Sequence, residues 1–181
     1  VAIPVSRRHV KLDDFNGGVG GTYFARLWMC YQDCLYARRP ATFVFAEDKP
    51  DMSRFKAVLL VGLKYEPEPA FTALVEAARG AGASVFADAS CRESLALVKN
   101  ASPLGFECTE KLGGHNDDTM WWSCERGFLA DAPKLAAALA ARVPPVAEID
   151  AHSVLASERR GPGGGRFVWL GNNTRTTLEQ G

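Results

Sequence analysis

The segment from Phe55 to Asp88 leaves this chain little freedom of fold. From Ala57 to Val61 it is unbroken apolar and is closed by Gly62, the pattern of a strand covered on both faces. Pro67 and Pro69 suit the first turn of a helix, where a missing N–H is lost at no cost. Phe71, Leu74, Val75 and Ala78 then recur at helical spacing along one face. Gly80 and Gly82 end that helix, and Ser84-Val-Phe-Ala-Asp88 reads as a second buried strand. Strand, crossover helix and strand within ~30 residues make a right-handed βαβ unit, so the sheet is at least partly parallel.

The flanking sequence extends this unit. Val1–Val5 is a first strand, with Pro4 tolerable near an edge or strand end. Ser6 to Gly21 reads as a long polar connection ending in Asn16-Gly-Gly-Val-Gly-Gly21. Thr22 can cap a helix over Tyr23–Arg38 with an apolar stripe of Phe24, Leu27, Trp28, Tyr31 and Leu35. Arg38 and Arg39 suit its negative end, and Pro40 stops it. Thr42–Phe45 is the next strand. Beyond the central unit come a short helix over Arg92–Lys99, an irregular stretch over 100–130, and an alanine-rich helix Pro133–Arg142 capped by Asp131. Val146–Ile149, Ser153–Arg159 and Arg166–Gly171 read as short strands, the last two joined through Gly161–Gly165 as an antiparallel hairpin. This order predicts an α/β fold, an open three-layer, mainly parallel sheet of flavodoxin-like kind with an antiparallel C-terminal edge hairpin. Residues 1–150 form the core and 151–181 the closing hairpin.

Composition excludes some function classes. Lys plus Arg equals Asp plus Glu at 21 each, so no net field draws the chain to nucleic acid or to an anionic membrane. No apolar run approaches the ~20 residues of a membrane span, and no signal peptide is visible, which favours a cytoplasmic location. Cys30, Cys34, Cys91, Cys108 and Cys124 are odd in number and lack CxxC spacing, the usage of reduced, buried thiols. The chain opens at Val1 directly in an apolar run and stops at Gly181 just after a strand. It is expected to be a segment of a longer, multidomain chain.

Several stretches offer chemistry, most of them beside a plainer role. Gly18, Gly20, Gly21 and Thr22 lie between the first strand and the first expected helix, where backbone N–H groups can hold a phosphate. No GxxxxGK[ST] or GxGxxG spacing is met, and a capping threonine on a surface loop explains them equally. Cys91 follows a strand and precedes a helix, the place of a nucleophile elbow, but Ser90 and Arg92 flank it instead of glycines. Its base would have to be His115 or His152, neither in a pairing motif, and an ordinary thiol is the alternative. Asp117 and Asp118 with Trp121 and Trp122 combine polar groups and aromatic faces suited to a sugar, or they cap a short helix and fill the core. Cys30 and Cys34, one turn apart, offer half a metal site or two small core residues. Asp13-Asp14 and Glu66 with Glu68 are paired carboxylates without a placed substrate. No metal or other cofactor is called for.

Val1–Val5, the helix Tyr23–Arg38 with Trp28 and Tyr31, Ala41–Phe45, Asp51–Val61, the helix ending Ala77-Ala-Arg-Gly-Ala-Gly82 and the strand Val85–Asp88 together resemble a known accessory domain. It is the class I glutamine-amidotransferase-like domain that follows the catalytic barrel in bacterial family 42 β-galactosidases, the trimerisation domain. Arg166–Asn173 is similar to the strand leading into a following β-sandwich in such carbohydrate-active proteins. The resemblance implies the fold without the amidotransferase reaction, since the elbow glycines and any His-x-Glu are missing. It carries over no catalytic residue. It implies a non-catalytic scaffold or assembly domain of a glycoside-hydrolase-like protein, partnered by other domains of its parent chain, by copies of itself, or by carbohydrate. The alternatives are an amidotransferase-like hydrolase using Cys91 and a carbohydrate- or nucleotide-binding module.

Overall fold

The structure is a computed structural model describing residues 1–15, 22–108, 118–149, 154–161 and 163–172, with the side chains of all of these but 14, 15, 22, 118–126, 159, 160 and 172. Its centre is a wholly parallel sheet of five strands in the order β2-β1-β3-β4-β5: β1 (Ala2–Pro4), β2 (Thr42–Val44), β3 (Ala57–Leu60), β4 (Ser84–Ala87) and β5 (Ser102–Pro103). β3 and β4 pair from Ala57↔Ser84 to Leu60↔Ala87. Ala57, Val58, Leu59 and Leu60 are all 0% exposed, which is why this strand reads as an uninterrupted apolar run.

Among the described residues five helices complete the layers: α1 (Arg7–Phe15), α2 (Thr22–Tyr36), α3 (Pro69–Gly80), α4 (Ala96–Lys99) and α5 (Asp118–Leu139). Right-handed crossovers leave β1 toward β2 but leave β3 and β4 the opposite way, so they cover opposite faces of the sheet. Accordingly α2 packs with α5, while α3 packs against the short 3-10 turns at 46–48 and 52–54. α3 buries the expected Phe71, Leu74, Val75 and Ala78. The antiparallel hairpin is β6 (Val154–Arg160) with β7 (Arg166–Asn172), in register from Val154↔Asn172 to Arg160↔Arg166. It forms a two-stranded sheet of its own, with β6 against α2. Among the described residues no helix is long and apolar enough to cross a membrane.

Several elements differ from the sequence expectations, each for a physical reason. The polar connection after β1 contains α1, whose first N–H groups are taken by Ser6 and by Glu68, far away in sequence. In α2 the buried face is Tyr23, Leu27, Cys30 and Cys34, while Phe24 is 57% and Trp28 40% exposed. The small thiols Cys30 and Cys34 fill the interior with Tyr23 and Tyr36, while Phe24 and Trp28 turn outward. α2 ends in a Schellman motif, with Arg38 at φ 55° and the N–H of Arg39 donating to the Cys34 carbonyl at 2.8 Å. The stretch 100–130 holds β5 and most of α5, and α5 runs through Pro133 instead of starting there. Asp131, expected as a cap, lies inside that helix and pairs with Lys134 Nζ at 3.1 Å. Residues 146–149 form no strand, although the N–H of Val146 donates to the Arg38 carbonyl at 2.9 Å.

Because Leu59 is fully buried in the core at the centre of the sheet, Leu59→Ala should lower unfolding free energy by about 2–5 kcal/mol in chemical denaturation. A loss under about 1 kcal/mol would mean that the sheet centre is not where this core is anchored.

Candidate functional site

In a sheet of this order the crossovers diverge between β1 and β3, and a crevice opens at the carboxyl ends of those strands. Here the chain's own side chains fill it. Ser6, directly after β1, caps α1 by accepting from the His9 N–H at 3.3 Å. Its hydroxyl donates to Glu68 Oε2 at 2.7 Å, and Glu68 also accepts the N–H groups of Arg7 at 2.8 Å and Arg8 at 3.2 Å. Glu68 thus sits on the positive end of α1, where a bound anion would otherwise sit. Although burial works against it, hydrogen bonds from Ser6, Arg7 and Arg8 hold its carboxyl below the usual range.

The His9 ring joins this cluster to the segment after β3. Nδ1 lies 2.9 Å from Ser6 Oγ, and Nε2 accepts the N–H groups of Lys64 at 3.1 Å and Tyr65 at 3.2 Å. From α2, Tyr23 closes the crevice, its hydroxyl accepting the Ser6 N–H at 2.9 Å. Burial drives the Tyr23 phenol well above its ordinary pKa. Arg26, on the same helix, pairs with Glu107 beyond β5, and the backbone N–H of Tyr23 donates to Asp13 of α1. Beneath them Gly62 ends β3 at φ 66°, and a Cβ there would come within 3.1 Å of Arg26 Cδ and 3.2 Å of the Tyr23 ring.

A second cluster gathers on Asp88, at the end of β4 and 3% exposed. It accepts from the N–H of Gly62 at 3.2 Å, the N–H of Cys108 at 3.0 Å, Ser90 Oγ at 2.7 Å and the Cys91 thiol at 3.2 Å. Cys91, the expected elbow nucleophile, is therefore a buried thiol that donates to a carboxylate. Burial first, and then the Asp88 charge, push its pKa far up, so the thiolate that a nucleophile needs is suppressed. Cys30 and Cys108 share a hydrogen bond in the core; hydrogen bonding to Cys108 and Cys34, together with burial, raises Cys30. Cys108 is pushed up to about 11: the Cys30 hydrogen bond pulls it down, but burial and the nearby Asp33 and Asp88 outweigh that pull. Among the described residues no group of three or more His, Cys, Asp or Glu could hold a metal. An open cleft of about 330 Å³ runs outside β4 and β5, past Cys91, Glu93, Val98, Lys99 and Pro103.

Of the other predicted site residues, Glu68 and Asp13 join the first cluster. Gly18, Gly20, Gly21, His115, Asp117 and His152 lie outside the described residues. Thr22 opens α2, and Asp118, Trp121 and Trp122 lie in the first turns of α5, with their side chains outside the description. The helix directly after β1 begins at Arg7 and not at Thr22, so the anion position of the crevice is at Arg7–Arg8, already taken by Glu68. Ser6, His9, Tyr23 and Asp88 were not singled out from sequence. Ser6-Arg-Arg-His9 did carry a signal, a capping serine three residues before an imidazole.

The crevice and strand order define a doubly wound α/β domain of flavodoxin-like order. No family model, no curated protein and no solved structure matches the chain.

Two outcomes follow from this geometry. Cys91 should resist iodoacetamide at pH 8 until denaturant is added; labelling of the native chain at the rate of an exposed thiol would contradict the buried, protonated state. Gly62→Ala should destabilise the chain by about 1–3 kcal/mol in urea denaturation, through the positive φ and the Tyr23 and Arg26 contacts.

Proposed function

We propose that this segment is a non-catalytic scaffold and assembly domain of a larger glycoside-hydrolase-like, carbohydrate-active protein. The observation that carries the reading is a surface. Phe167, Val168, Trp169 and Leu170 of β7 are 65%, 42%, 61% and 57% exposed, apolar residues on both faces of a hairpin that forms a sheet separate from the main one, with Phe167 and Trp169 side by side on one face. Apolar patches of this kind mark contact with other protein surfaces. The crevice supports the same reading from the other side, because its backbone donors are consumed by Glu68, Asp88 and His9. The carbohydrate context rests on the resemblance of the α/β core to the accessory domain of family 42 β-galactosidases. The natural partners are the other domains of the parent chain or further copies of this one. A hydrolase built on Cys91 would need a thiolate that Asp88 and burial oppose.

The test is a thermal-shift panel of mono- and oligosaccharides, nucleotides, flavin and glutamine, together with sedimentation of the chain and of a Phe167→Ser/Trp169→Ser variant. A ligand at ~100 times its dissociation constant adds about 2.7 kcal/mol, a shift of a few degrees for a domain of this size. The scaffold reading expects a flat panel, association of the wild-type chain at micromolar concentration, and loss of that association in the variant with its melting midpoint kept. A shift of several degrees with glutamine would favour the hydrolase; one with a sugar or nucleotide would favour a binding module.

A further inference from the structure

Among the described residues His9 is the only histidine, and it is 3% exposed with both ring nitrogens engaged. Nε2 faces two backbone N–H groups, those of Lys64 and Tyr65, so it must be bare, and the ring proton resides on Nδ1, directed at Ser6 Oγ. Ser6 can then accept from His9 and donate to Glu68, so the ring proton and the serine hydroxyl each have an acceptor. The arrangement works only with a neutral ring. We propose that His9 is a proton-operated latch: a second proton, on Nε2, sets a donor against two donors and releases the segment 64–68 from α1. That release removes Glu68 from the N–H groups of Arg7 and Arg8 and opens the crevice between β1 and β3.

The groups facing the ring come from every element around it. Glu68 and the Tyr65 ring, at 6.0 Å, belong to the segment after β3; the Tyr23 ring, at 5.0 Å, comes from α2; Asp13 and Arg8 share α1 with His9. Burial lowers the pKa of His9 from 6.5 most strongly, Glu68 and Asp13 pull it back up, and Arg8 adds to the lowering. With the folded value below the unfolded one, the closed state has its full stability above pH 6.5 and loses it as pH falls toward the folded value. Glu68, itself lowered from 4.5, keeps its contribution until pH falls below that value, so the interval between belongs to His9.

Amide hydrogen exchange of the whole chain, corrected for the intrinsic effect of pH, tests this. Protection of the Lys64 and Tyr65 amides should fall between pH 7.5 and 5.5, by up to about tenfold for one proton taken up on opening, while Leu59 in β3 keeps its protection. His9→Gln, which leaves an acceptor but no titration, should show no such fall. Equal protection of both amides at the two pH values would overturn the latch, as would the same fall in the variant. Should the variant not fold, the wild-type ring decides by nitrogen NMR. A neutral ring with a bare Nε2 at pH 6 is expected; an imidazolium beside still-protected amides would sink the proposal.

Discussion

Backbone amides at the carboxyl ends of parallel strands must find partners that the sheet no longer supplies, and this fold is organised around how it satisfies them. Leaving one such buried group unbonded costs about 1–3 kcal/mol. Asp88 serves the amides of Gly62 and Cys108, tying the ends of β3, β4 and the β5 loop to one carboxylate. His9 serves Lys64 and Tyr65, and Glu68 serves Arg7 and Arg8, tying the ends of β1 and β3 together. Three side chains thus close a seam that the sheet leaves open.

The same seam is where doubly wound proteins bind ligands, because free amides and a helix N-terminus attract anions there. In this chain those donors are spent internally. An incoming phosphate would have to displace Glu68 from α1, giving up its hydrogen bonds to Ser6, Arg7 and Arg8. A nucleophile at Cys91 would have to lose its proton beside Asp88, a buried carboxylate 3.2 Å away. Anion binding at the start of α1 and a nucleophile at Cys91 are both opposed by the interactions that hold the strands' ends together.

What was legible in the sequence follows from the range of the forces involved. β3, α3 and β4 were readable because burial on both faces writes an apolar run and burial on one face writes a helical stripe, both local patterns. α1 was missed because Ser6 is the one local capping signal, and Glu68, which accepts the Arg7 and Arg8 N–H groups, lies some sixty positions downstream. β5 was missed because Ser102 and Pro103 carry no apolar signal and are held as a strand by pairing with Phe86 and Ala87. The face of α2 was misassigned because Cys30 and Cys34 are weak hydrophobic markers beside Trp28 and Phe24, yet the thiols are the residues at 0% exposure. At the site, Cys91 was visible by position, but its environment depends on Asp88, whose role emerges only when three strand ends converge on it.

The hairpin is the part that the seam does not explain. An isolated two-stranded ribbon is marginal in water, and this one is attached through Ala156, 1% exposed, and through Arg166, which donates to the Val146 carbonyl at 2.8 Å and pairs with Glu158 at 3.1 Å. The Phe167 ring lies against Gly161 and Gly165 and the Trp169 ring covers Gly171, so aromatic faces shield the backbone where glycine leaves it bare. These contacts account for how β7 is held and for two of its rings. They leave Val168 42% and Leu170 57% exposed, and more than half of the surface of Phe167 and Trp169 in solvent. Apolar area yields free energy only when water leaves it, so the exposed strand gains its stabilisation when a second surface covers it.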